Sequence, residues 1–371
     1  MQVRGNNLNK TIFLTGSTGL LGSYLLGKLL QQKDGKIIAL SRGKTQEEAE
    51  LRALQSLKKH FSYSYKTISR FLEIVNGDIT EKNLGLAKKT YDSLTEKVTS
   101  IFHSAALCDF KVPLATIRKV NVKGTENILE FASLCKRRSR FEALHHISTV
   151  AVAGNSKGIF YETDLDIGQS FNNTYERSKF EAEQMAIRYR EKGLPVTIYR
   201  PAIITGDSRT GYTNNFKMFY QPLQIFSLEL FREIPAEGST LYSLVPVDHV
   251  AAAIVSISRD ESSRNSTFHI ANPNEITLRQ FVKAAAGYLK FNEPVLIPRE
   301  KFDFKRLSPL QLELLKPYIP YLNYELRFDS HHALEILKKT NFRWPKFNKS
   351  FLRKIFHFCI QCGFIVPKRR M

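Results

Sequence analysis

Cysteine is scarce in this sequence, with four in 371 residues: Cys108, Cys135, Cys359 and Cys362. A chain this long cannot be held by a disulfide framework built from so few, so reduced thiols and a cytosolic compartment are expected. Cys359 and Cys362 form a C-x-x-C pair, but no second pair completes four ligands. They read as two thiols on an apolar helix face, and no metal is expected. Long apolar runs are missing too. No stretch reaches the roughly 20 residues of a membrane span, and the opening MQVRGNNLNK lacks the apolar core of a signal sequence. Internal repeats and low-complexity linkers are absent.

Acidic residues are in deficit. Lys and Arg number 55 against 35 Asp and Glu, a formal net charge of +20. Such a surface favours an acidic partner, with nucleic acid, an anionic membrane, a phosphorylated substrate and an acidic carrier protein as the classes to weigh, beside simple solubility. No nucleic-acid-binding motif accompanies the charge, so nucleic acid is not expected. With 43% hydrophobic and 24% charged residues the chain can bury a large core.

From residue 11 to about 205, short apolar strands alternate with amphipathic helices. TIFLTG, KIIALSR, FLEIVNGD, VTSIFHSAA, EALHHISTV and PVTIYRP read as strands, and VKGTENILEFASLC and YERSKFEAEQMAIRYREKG as helices. The alternation predicts an α/β doubly wound Rossmann fold with a parallel sheet, and a ligand at the C-terminal strand ends. LYSLVPVDHV and STFHIANP read as further strands. Beyond Thr277 the chain is mostly helical and rich in Phe, Tyr, Leu and Lys. The expected organisation is a Rossmann domain over 8–275, with a substrate-lid segment at 206–240, and a smaller, mostly helical covering subdomain over 276–371.

TGSTGLLG, residues 15–22, places three glycines where the first strand hands over to a helix. Gly16 permits the tight turn, Gly19 the close approach of a pyrophosphate, and Gly22 close packing of helix on strand. The spacing, G-x-x-G-x-x-G, is one residue longer in its first gap than the usual dinucleotide fingerprint. At the end of the second strand an acidic residue would read the ribose of NAD. Ser41-Arg42-Gly43-Lys44 stands there instead, and its cations suit a 2′-phosphate, which favours NADPH. Asp78 ends the third strand, placed either to accept from the adenine amino group or to cap a helix.

YERSK sets Tyr175 and Lys179 on one helix face, and HHISTV ends a strand at Ser148 and Thr149. A nicotinamide enzyme acting on a carbonyl needs a donor for the oxygen that gains charge as hydride arrives. Tyrosine serves at neutral pH only where positive charge lowers its pKa from about 10, and Lys179 supplies that charge. Thr149 would donate to the same oxygen.

These stretches resemble the extended short-chain dehydrogenase/reductase family from about Lys10 to Pro273. TGSTGLLG, VNGDITEKNLGL, IFHSAALCDF, NVKGTENIL, HISTV, GQSFNNTYERSKFEAE, TIYRPAIITGDSRTG and LVPVDHVAAAI are most similar to its thioester reductase and fatty acyl reductase branch. The resemblance implies Thr149, Tyr175 and Lys179 as the catalytic trio. Carried onto the matching positions, it implies a cofactor site of Gly16, Ser17, Thr18, Gly19, Leu20, Leu21 and Gly22 in the first turn. Arg42 and Lys44, Asp78 and Ile79, Ser104, Ala105 and Ala106, and Pro201 follow strand by strand, with Tyr175 and Lys179 completing the set. Where much of the wider family has a tyrosine after the catalytic strand, this chain has Val152-Ala153-Gly154, which weakens a sugar epimerase reading.

The resemblance further implies NADPH-dependent reduction of a CoA- or carrier-bound acyl thioester to an aldehyde, with a second reduction to the alcohol open. It also implies an acidic carrier protein acting in trans. The alternatives are a dehydrogenase, reductase or epimerase of a free ketone, alcohol or nucleotide sugar, and a non-catalytic NADP-binding regulator. His103 is expected beside the adenosine pocket, one of His145 and His146 in the core, and Asp248 in fold support. The aromatics from Phe216 to Phe231 fit an acyl channel or an ordinary lid core equally. The tail FLRKIFHFCIQCGFIVPKRRM is basic and amphipathic. Docking on the protein's own core is favoured over peripheral membrane contact.

Overall fold

The computed structural model describes residues 10–217 and 219–366. Seven strands form one sheet: β1 (Lys10–Thr15), β2 (Gly35–Ser41), β3 (Leu72–Asn76), β4 (Ser100–His103), β5 (Ala143–Ile147), β6 (Val196–Pro201) and β7 (Thr267–Ile270). Their order is β7-β6-β5-β4-β1-β2-β3, and every neighbouring pair is parallel. The expected Rossmann sheet is therefore present. Its order reverses between β1 and β4, and the crevice at that switch point is where such sheets bind ligands.

The strands are apolar runs because both faces are covered. Along β1, Ile12 and Leu14 pack into a core with the helices Leu20–Gln32 and Val247–Ser258, while Phe13 points to the other face, among the helices Lys88–Lys97 and Gly124–Arg138. One reading shifts. LYSLVPVDHV is not a single strand but two short ones, Leu241–Tyr242 and Leu244–Pro246, after which a helix starts at Val247. Pro246 sits at the helix N-cap, where its fixed φ is compatible with the turn into the helix.

A second core lies beside the sheet. It joins Tyr220, Leu223 and Phe226 to Phe281 and Val282, to Leu315 and Leu322, and to Phe351, Ile355 and Phe356. The aromatics of the lid segment are thus core residues; Phe219 packs on Phe281, and Phe216 on Phe364. The tail folds as the helix Lys349–Gln361, whose apolar face, including Cys359, is buried in this same core, with Cys362 exposed at its end. The tail therefore docks on the protein itself, and its last basic residues, Lys368, Arg369 and Arg370, lie outside the described residues. One piece of the C-terminal region returns to the sheet: Ala333, Ile336 and Leu337 join the first core. Among the described residues no helix is long and apolar enough to cross a membrane, and no group of three or more His, Cys, Asp or Glu side chains is placed to hold a metal.

Candidate active site

The glycine turn closes over the end of β1. Gly16 adopts φ +78°, and a Cβ there would fall 2.6 Å from the Ala105 nitrogen, so the turn packs directly on the backbone after β4. A Cβ on Gly22 would sit 1.9 Å from the Gly16 oxygen, which fixes helix Leu20–Gln32 against the turn. Gly19 is different: it is exposed at the helix N-cap, with its open side free of protein atoms other than the Gly16 oxygen. That combination of a bare turn and an uncapped helix N-terminus suits a pyrophosphate.

A cleft of about 510 Å³ starts at Gly16, Gly19, Leu20, Leu21 and Gly22, and passes Ser104, Ala106 and Pro201. It continues to Thr149, Tyr175 and Lys179. The rest of the expected cofactor set does not line this cleft. The Ser17 side chain is buried and donates to the Leu40 carbonyl, tying the turn to β2. Thr18 is half-buried, and its carbonyl accepts from Ser56. Ala105 donates its N–H to Thr15. Ile79 points into the core, where it covers Gly124. Arg42 and Asp78 meet at the ends of β2 and β3, 3.5 Å apart, with the guanidinium 65% exposed. Asp78 also accepts from Thr80 N–H, so it does cap a turn. Lys44 is exposed beside them.

Tyr175 and Lys179 sit on the helix Thr174–Glu191, whose first turn is capped by Asn173 accepting from Glu176 N–H. Lys179 is 3% exposed and donates to the Ile147 carbonyl at 2.8 Å. Burial pulls its ammonium down from 10.5 to about 8, against the opposing pull of Glu183. The Tyr175 phenol lies against the Thr149 hydroxyl and the Cys108 thiol, and burial pushes its pKa well up while Thr149 draws it down. Thr149 Oγ accepts from Ala151 N–H, which leaves its own proton to point at the Tyr175 phenol. Ser148 turns the other way, donating to the fully buried Glu183, whose second oxygen takes two bonds from Arg200 at 2.8 and 2.6 Å. Val152 and Ala153 are buried under the strand end, in the turn that carries no tyrosine.

The histidines belong to the interior. His103 bridges Thr15 and Thr125, and both His145 and His146, not one of them, are buried. Asp248 holds the loop after β6 by accepting from Ser208 N–H and Oγ, and these bonds with neighbouring His249 keep its carboxyl down at about 2.

Several cleft residues escaped the sequence reading. Cys108 touches the phenol, and its thiol is pushed up by burial. Lys217, from the lid segment, pairs with Asp109 at 2.5 Å. Tyr321 comes from the covering region: it accepts from Asn173 at 2.6 Å, donates to Glu176, and stacks on Phe110 with centroids 5.6 Å apart. Nothing in the local sequence around Asn173 and Glu176 signals a distant tyrosine.

The profile of the NAD-binding family described as "Male sterility protein" matches residues 14–254. One component of the linear gramicidin synthase of Brevibacillus parabrevis is 32% identical over 266 residues, 70% of this chain and 5% of that protein. Carboxylic acid reductase of Mycobacterium tuberculosis is 31% identical over 301 residues, 74% of this chain and 25% of that protein. The chain thus spans a small part of the curated relatives it matches. Among solved structures, the terminal R domain of the myxalamid PKS-NRPS pathway superposes with a TM-score of 0.83 at 29% identity, covering 97% of this chain and 93% of that one. The chain belongs to the male sterility NAD-binding family, in the thioester reductase branch of the extended short-chain dehydrogenases/reductases.

Proposed function

We propose that this protein is an NADPH-dependent reductase that cleaves an acyl thioester to an aldehyde and a free thiol. The observation that carries the reading is the joining, in one cleft, of the bare glycine turn with Thr149, Tyr175 and Lys179. Gly16, Gly19 and Gly22 would hold the pyrophosphate, and Lys179 the nicotinamide ribose. Arg42 and Lys44, with no acid beside them on β2, favour a 2′-phosphate. When bound there, NADPH would supply hydride chemistry for reduction of the thioester carbonyl.

This chain's residues manage the oxygen. Thr149 donates a hydrogen bond to it and Tyr175 gives it a proton, so the charge that develops is met by two donors. Against the sequence expectation, burial holds the phenol's pKa well up rather than Lys179 drawing it down, so the phenol stays protonated and ready to donate. The resulting hemithioacetal collapses to aldehyde and thiol. An aldehyde that leaves slowly can take a second hydride to become the alcohol.

We read 8–275 as the cofactor unit and 276–371 as the substrate cover. The thiol carrier is an acidic protein acting in trans, to which the +20 chain is complementary, or coenzyme A. The four free thiols suit a reducing, cytosolic setting. The test follows NADPH absorbance and thiol release together over a panel of acyl thioesters. Matched loss and release, abolished in Tyr175→Phe, is the expected result. NADPH consumption without thiol release would refute thioester cleavage in favour of a free carbonyl substrate.

A further inference from the structure

Among the described residues, three charged side chains line the cleft: Lys179, Lys217 and Glu275. Two are accounted for. Lys179 donates to Ile147 beside Glu183, and Lys217 is paired with Asp109. Glu275 has neither an ion pair nor a hydrogen bond among the described residues, although it is half-buried. Arg327, on the neighbouring strand Leu326–Phe328, acts on it through space without forming a pair. In a chain with 20 more cations than anions, a carboxylate left unpaired in a cleft is conspicuous. Desolvating it costs free energy that Arg327, acting through space, offsets only in part.

Aromatic side chains line the same cleft as Glu275. Its successor Ile276 pairs with Tyr242, and the Tyr242 hydroxyl is committed to the Tyr321 carbonyl at 2.8 Å, which fixes that ring on the cleft wall. Tyr324 and Phe328 also line the cleft, with centroids 6.3 Å apart. Aromatic faces and one unpaired carboxylate form the donor set that recognises an organic cation, with the rings contributing cation–π attraction and the carboxylate the counter-charge. The rings would pack on a neutral alkyl chain as well, but for such a chain a half-buried carboxylate is a penalty.

The geometry points to Glu275 as a specificity-determining residue that receives an alkylammonium group on the acyl portion of the substrate. The preferred thioesters thus carry a positive charge beyond the carbonyl. This inference rests on the reading of the cleft as a thioester-reducing site. It assigns the far end of the substrate, where that reading assigned only the carbonyl.

The experiment compares two pantetheine derivatives of equal shape, a 6-(trimethylammonio)hexanoyl and a 7,7-dimethyloctanoyl compound, in which nitrogen replaces carbon. A 6-aminohexanoyl compound separates primary from quaternary ammonium. Each is made as the thioester, for kcat/KM, and as the unreactive thioether, for binding by calorimetry with NADPH present. Wild type is expected to favour the cationic member by about tenfold or more, as a charge-assisted contact would give. The ratio should fall towards one in Glu275→Gln and be largely kept in Glu275→Asp.

The ratio is read within each variant, so a partly unfolded preparation does not distort it. Equal binding of the two thioethers by wild type, or a ratio unchanged in Glu275→Gln, overturns the inference even if both thioesters are reduced. A cationic preference in thioether binding with no thioester turnover supports the cation site and refutes the reductase reading instead.

Discussion

Replacing Lys179 by methionine should make the protein more stable at neutral pH while removing its activity. Lys179 is buried, and its ammonium is pulled from 10.5 to about 8. That difference corresponds to about 3 kcal/mol of destabilisation carried by the charged form. Between pH 8 and 10.5 the unfolded chain binds more protons than the folded one, so stability rises with pH across that window and the full penalty applies below about 8. Methionine fills a similar volume without charge, but it forfeits the bond to the Ile147 carbonyl, which costs about 1–2 kcal/mol. The net expectation is a gain of about 1–2 kcal/mol at pH 7 that shrinks and changes sign as pH approaches 10.5. Glu183 is not orphaned by the change, because Arg200 and Ser148 still bond it. Denaturant unfolding of the cofactor-free protein at pH 7 and pH 10 measures the difference. A variant less stable than wild type at pH 7, or a difference that does not vary with pH, would refute the argument that burial of charge dominates at this position.

Other consequences can be checked in parallel. The kcat/KM profile should fall above about pH 8 as Lys179 loses its proton, and an alkaline limb that stays in place in Lys179→Arg, whose charge does not titrate there, would assign it to another group. Gly22→Ala drives a Cβ to 1.9 Å from the Gly16 oxygen, so NADPH affinity by calorimetry and the melting temperature should both drop, with about 1–3 kcal/mol lost to overpacking. Arg42→Glu should lower the ratio of kcat/KM for NADPH over NADH by at least about tenfold; an unchanged ratio removes Arg42 from the cofactor site. Glu183→Ala leaves Arg200, 1% exposed, without its counter-charge, and denaturant unfolding should register a loss of about 3–5 kcal/mol.

The sheet and its nucleotide edge were legible for one physical reason. Parallel strands buried on both faces read as continuous apolar runs, and their C-terminal ends must converge on one edge, so residues just after each run fall together whatever the loops do. Gly16, Ala105, Thr149 and Pro201 are such residues, and the Y-x-x-x-K spacing placed Tyr175 and Lys179 on one face of the helix that follows. No comparable rule governs the covering region. Helical periodicity shows that Phe351, Leu352, Ile355 and Phe356 face a core, but it is silent about which core, and the aromatics after Phe216 fitted a channel as well as they fitted the packed interior they form. Tyr321 reaches Glu176 across 145 residues of chain, and Glu275 reaches the cleft from a two-stranded pairing with Leu241–Tyr242 that no sheet rule anticipates. The end of the cleft with Thr149, Tyr175 and Lys179 is thus fixed by the fold and readable from spacing. The end with Glu275 and Tyr321 is set by loops free to vary without disturbing the sheet, which is where differences between proteins sharing this fold must arise.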